Sequence, residues 1–175
     1  MPNYVDDIAA INQATSLSQI QQIVGKYSAQ AIGSGGVVYS GYVGSLGAGD
    51  IASKIVQDTG GSLNIINNTA KGMFLSNPDV VNAIQSSAAK IFSQQGLADY
   101  QLADAAKNFL YGGVTIPSGS VGSLSSSLWG QASSEFASSL SGDITVVGTA
   151  AQANPFRIFA QIELPALLNN PKVTP

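Results

Sequence analysis

The stretch "LSSSLWGQASSEFASSLSGDITVVG", residues 124–148, decides the fold. Its first part places Leu128, Trp129, Ala132, Phe136 and Leu140 on one face at helical spacing, and Gly142 is a natural helix stop. The second part, "DITVVG" (143–148), reads as a buried strand of β-branched residues. A helix that hands directly to a strand asks for both kinds of element in one core. The rest of the chain supplies them.

Upstream, "GVVYS" (36–40) is a short β-rich run. The glycine-rich loop "GYVGSLGAGD" follows, with Asp50 placed to cap the helix "IASKIVQDTG". "SLNII" (62–66) is the next candidate strand, and "NNTAKGMFLSN" a turn and short helix. Residues 78–111 read as two helices, the first opened by Pro78 and stopped by Gly96. Residues 4–31 carry Val5, Ile8, Ile11, Leu17, Ile20 and Val24 at helical spacing, broken near Thr15 and Ser16. "VTIPSGSVGS" (114–123) reads as an extended loop. Downstream, "FRIFAQIELPALL" (156–168) begins with strand-like alternation, and Pro165 ends it. The pattern predicts an α+β fold with an α/β-like core. An N-terminal helical part packs on a small, mainly parallel β-sheet with flanking helices. One domain is expected, with residues 1–35 as a helical extension.

Composition narrows the chemistry. The 175 residues are 45% hydrophobic and only 10% charged, against roughly 25% charged in an ordinary soluble domain. Net charge is −3 and the basic residues are scattered, which argues against a nucleic-acid partner. The start, "MPNYVDDIAAINQ", lacks a basic n-region and does not read as a secretory leader. No apolar run approaches the roughly 20 residues of a membrane span, so no membrane partner is expected. Cysteine and histidine are absent. That removes disulfides, most zinc sites and every nucleophile that needs a histidine base. No metal or cofactor is expected. Catalysis must rest on Asp, Glu, Lys, Tyr, Ser or backbone groups.

Three local signals stand out, each with two readings. Gly47, Gly49 and Ala52 form a G-x-G-x-x-A after a strand, but the acid expected about 20 residues later is missing, which favours a simple strand–helix connection. Trp129, the only tryptophan, is a core aromatic or a stacking surface. Glu163 is one of two glutamates and lies in an otherwise apolar run. It either faces water at a strand end or sits where open α/β sheets collect ligands.

The run from Trp129 to Glu163 resembles the ADP-ribosyl cyclase/NAD glycohydrolase family, and within it the bacterial toxin-domain branch. Members carry a Trp, a Ser four residues on, Phe-Ala on the same helix, a V-x-V strand, and a catalytic Glu about thirty residues beyond the Ser. Trp129, Ser133, Phe136–Ala137, "ITVV" and Glu163 fall in that order at that spacing. "VVYSG" (37–41) resembles the family's strand ending in an aromatic-Ser pair, here Tyr39 and Ser40, with Tyr39 where animal members have tryptophan. "IINNTAKGMFL" (65–75) resembles a Thr-Leu-Glu-x-Thr-x-x-Gly element. Thr69 and Gly72 match, and Asn67 stands where the family has an acid.

The resemblance covers roughly residues 36–175. It implies cleavage of the nicotinamide–ribose bond of NAD or NADP, with no cofactor beyond that substrate. Glu163 is then the catalytic carboxylate, Trp129 and Tyr39 aromatic walls, and Ser133, Ser40, Asn67, Thr69 and Phe136 substrate contacts. The toxin branch implies an exported effector domain that drains NAD in a target-cell cytoplasm, and a cognate immunity protein as partner. The lack of disulfides fits work in a reducing cytosol. Hydrolysis to ADP-ribose is the expected outcome, with cyclisation open because Asn67 is neutral. Two other classes compete: a non-enzymatic secreted or phage-surface interaction module, suggested by the Ser/Ala/Asn/Gln-rich composition, and a mono-ADP-ribosyltransferase.

Overall fold

A computed structural model describes residues 3–39, 42–43, 46–60, 63–111, 127–147 and 164–174. The fold is α+β: mostly helical, with a small parallel sheet. The chain divides into two compact units, residues 1–28 with 70–131, and residues 29–69 with 132–175.

The first unit is helical. It holds α1 (Val5–Asn12), α2 (Leu17–Val24), α4 (Ala70–Ser76), α5 (Pro78–Gln94), α6 (Asp99–Tyr111) and the start of α7 (Leu128–Ser139). Ser16 caps α2 by accepting the Gln19 N–H at 3.3 Å. Asn77 caps α5 by accepting from the N–H groups of Asp79 and Val80, with Pro78 in the first turn. Just past its end, Gly96 adopts φ 98°, the left-handed geometry a helix stop needs. Helices α5 and α6 form a hairpin through a short loop and pack on each other; Val80, Ala83, Ile84, Ala88 and Ile91 of α5 and Ala105, Ala106, Phe109 and Leu110 of α6 are buried.

Helices α1, α2 and α4 meet in an aromatic cluster. Tyr27 stacks on Phe74 with centroids 4.2 Å apart. Tyr4 stands edge-on to both, at 5.8 and 5.0 Å. Asp7 closes this cluster from α1, accepting hydrogen bonds from Lys26 Nζ and Tyr27 Oη.

The second unit carries the sheet. β1 (Gly36–Tyr39), β4 (Gly142–Val147) and β5 (Val173–Thr174) are parallel, in the order β1-β4-β5. A two-stranded hairpin, β2 (Tyr42–Val43) and β3 (Leu46–Gly47), leads straight into α3 (Ala48–Asp58). Helix α3 packs on β1 through a cluster of Val37, Ala52, Val56 and Ile65. At Gly36 the approach is close: a Cβ there would lie 2.5 Å from Leu140 Cδ2, so the leucine side chain would have to shift to admit one.

Several expectations change in detail. The described part of "SLNII", residues 63–66, is not a strand. Asn64 makes one parallel bridge to Gly36, and the chain then coils into a 3-10 turn, Ile66–Asn68. The reason is visible at Asn64, whose side chain bonds the backbone of Ile32 and Gly35. Asp50 lies inside the first turn of α3 rather than capping it, because the helix starts at Ala48. In its described part α7 is shorter than 124–142, ending at Ser139. Gly142, at φ 75°, begins β4 instead. β4 is not wholly buried, since Asp143 and Thr145 are exposed. Pro165 falls in the first turn of a short helix, α8 (Leu164–Leu168), where its missing N–H costs nothing. The strand expected over 156–163 and the loop over 114–123 lie outside the described residues.

Candidate functional site

The residues singled out above fall into three groups. Glu163 and Ser40 lie outside the described residues. Trp129 belongs to the helical unit. Tyr39, Asn67, Thr69, Ser133 and Phe136 belong to the sheet unit.

Tyr39 is the last residue of β1, at the carboxyl end of a parallel strand. Such ends collect ligands in α/β sheets, because loops diverge there and leave a crevice. Tyr39 is half-buried, packed against the α3 cluster. Its Oη donates to Asn67 Oδ1 at 2.6 Å. Twenty-eight residues separate the two in sequence. The Gly36–Asn64 bridge makes the meeting possible by carrying the chain alongside β1 just before the turn that presents Asn67. Thr69 closes that turn. Its N–H and Oγ1 both donate to the Ile66 carbonyl, at 3.0 and 2.6 Å. The Tyr39 phenol and the Asn67 amide thus form one polar pair, with the Tyr39 ring packed against the buried cluster of Val37, Ala52, Val56 and Ile65.

On α7, Ser133 and Phe136 are buried, at 3% and 0% exposure, with Ala132 and Ala137 beside them. Phe136 is enclosed in the core. Trp129, one helical turn before Ser133, is half-buried, and its Nε1 is buried without a hydrogen-bond partner. An unpaired buried N–H is costly, so the Trp129 donor does not help to hold its ring in place.

Three structural roles escaped sequence reading. Glu135, the other glutamate, accepts the Ala29 N–H at 3.0 Å, and Ser139 accepts that of Ala31 at 2.7 Å. Asn170 Nδ2 contacts the carbonyls of Ala137, Ser138 and Leu140 at 3.1, 3.3 and 2.8 Å, closing the end of α7. The helical unit also contains an open groove of about 450 Å³, lined by Val5, Ile8 and Ala83 together with Asn12, Asp79, Asn82 and Ser86. None of the predicted site residues lines it.

Among the described residues no group of three or more acidic side chains could hold a metal ion, and no helix is long and apolar enough to cross a membrane. Comparison with protein-family models, curated proteins and solved structures finds no match to the chain.

Proposed function

We propose that the protein is an NAD-cleaving enzyme, a glycohydrolase or ADP-ribosyl cyclase, acting as a bacterial toxin domain. One observation carries the reading. Two segments selected independently by family resemblance, "VVYSG" and "IINNT", meet through the Tyr39–Asn67 hydrogen bond at the carboxyl end of a parallel strand. The order and spacing of Trp129, Ser133 and Glu163 supply the rest.

The chemistry suits a chain without histidine or cysteine. The bond from ribose C1′ to the nicotinamide nitrogen breaks with its electron pair going to the ring, which leaves as neutral nicotinamide. No general acid is needed. The difficult species is the oxocarbenium-like ribosyl centre, as in glycoside hydrolysis. A preorganised Glu163 carboxylate stabilises that charge and orients the ribose hydroxyls. Tyr39 offers an aromatic wall, its ring held by Asn67; a stacking role for Trp129 is what the family resemblance implies. Water attack at C1′, with loss of one proton, yields ADP-ribose. Attack by adenine N1 yields the cyclic product. A toxin that depletes NAD favours water, and its delivery implies a separate immunity protein that protects the producer.

The test is incubation of the purified protein with NAD and chromatography of the products. Free nicotinamide with ADP-ribose is the expected result. No nicotinamide would overturn the reading in favour of an interaction module. Nicotinamide released only with a labelled acceptor protein would make the protein a transferase.

A further inference from the structure

The strand β4 has a feature that the reading above does not use. All-parallel sheets are normally covered on both faces, because crossover connections lay helices over them. β4 lies between β1 and β5, but β5 pairs only with Gly142 and Asp143, so among the described strands Thr145 has β1 alone beside it; both Asp143 and Thr145 are exposed. Val37, the register partner of Thr145 on β1, is fully buried. Register partners in a parallel pair project from the same face. Val37 and Tyr39 pack in the cluster with Ala52 and Val56 of α3. Thr145 therefore stands on the α3 face of the sheet and stays exposed although α3 approaches β4 as well as β1. It is a diagonal neighbour of Tyr39, whose own partner in register is Val147. Asp143, two residues back on the same face, makes this an exposed strip.

This strip has a definite chemical preference. A hydroxyl both donates and accepts, while a carboxylate only accepts. The pair suits sugar hydroxyls and repels phosphate. Ile144, between them on the opposite face, is half-buried, so the alternation sets two polar side chains on one face and apolar surface on the other.

We propose that Thr145 is a substrate-positioning residue that hydrogen-bonds a ribose hydroxyl of the bound dinucleotide beside Tyr39, on the side of that ring away from Asn67. The proposal rests on the NAD-cleaving reading and adds a sugar-binding edge to it. Thr145 contributes uniform binding and takes no part in bond cleavage.

The test measures nicotinamide release against NAD concentration, with a thermal melt, for the unsubstituted protein, Thr145→Val and Thr145→Ser. Valine keeps the shape and removes the hydroxyl. Thr145→Val should raise KM about fivefold with kcat nearly unchanged, the size of one lost neutral hydrogen bond in uniform binding. Thr145→Ser restores the hydroxyl and should return KM close to its starting value. Unchanged kinetics in Thr145→Val overturns the proposal. So does equal impairment of both variants with a lowered Tm, which marks a packing role. Failure of the unsubstituted protein to release nicotinamide overturns the NAD reading itself, so the two failures are told apart.

Discussion

The helical unit and the sheet unit solve the same problem, satisfying backbone polar groups, by different means. In the helical unit most N–H and C=O groups bond within helices. Its side chains are left to pack, as in the Tyr4–Tyr27–Phe74 cluster and the α5–α6 seam. The sheet unit has strands of four, six and two residues around β4. Ladders that short leave the backbone of the connecting segments without partners. Side chains fill the gap: Asn64 holds residues 32–35, Glu135 and Ser139 hold residues 29–31, and Asn170 holds the end of α7. The contrast shows why asparagine matters so much in the second unit. One amide both donates and accepts, and so can stand in for a missing strand.

Four experiments would break or sharpen that contrast. The largest effect concerns chemistry. Glu163→Gln keeps shape and removes charge, so nicotinamide release should fall on the order of 10³-fold with the melting temperature unchanged. Normal turnover would remove the proposed catalytic group. In the helical unit, Phe74→Ala deletes a fully buried ring that contacts two tyrosines. It should cost about 3–5 kcal/mol in denaturant unfolding, and protection from hydrogen exchange should drop in α1, α2 and α4. In the sheet unit, Asn170→Ala should cost about 1–3 kcal/mol, because the carbonyls at the end of α7 lose a shared donor. Retained stability there would mean that water replaces the amide, and that the sheet unit depends on its asparagines less than the contacts suggest.

The smallest effect is a pH dependence. Hydrogen bonds from Lys26 and then Tyr27 hold the Asp7 carboxyl below its usual value. A carboxyl depressed on folding stabilises the native state above the ordinary carboxylate pKa near 4, and that contribution fades as pH falls through the lower native value. Burial, with the bond to Asp7, pushes the Tyr27 phenol up. Its contribution is present below about pH 10 and fades above it, as the phenol titrates. Thermal melts against pH should show both flanks. Asp7→Asn should flatten the acid one, and an unchanged acid flank would assign acid sensitivity to other carboxylates.

Legibility followed the same division. Helices α2, α5 and α6, with the Ser16 and Pro78 starts and the Gly96 stop, were readable because caps and apolar periodicity act within a few residues. β1 was readable from its β-branched run. "SLNII" was misread because its residues favour a strand locally, while Asn64 diverts the chain after a single bridge. Asp50 was misread because a hairpin feeding directly into α3 moved the helix start to Ala48. Of the candidate site, Tyr39 and Asn67 were named from resemblance, but their contact was not foreseen. Thr145 was hidden inside a strand read as buried, although the alternation Asp143-Ile144-Thr145 already carried the signal of a wet face.

By itself the sequence determined the α+β class, the helical starts and stops, and the kinds of chemistry open to a chain with no histidine or cysteine. Those properties depend on composition and on neighbours within one or two turns. Only the tertiary structure decided that Tyr39 meets Asn67, that Phe136 is enclosed, and that Thr145 stands exposed on β4. Each of these depends on strand register and on which face a helix covers. Such relations join residues far apart in the chain, and no local preference encodes them.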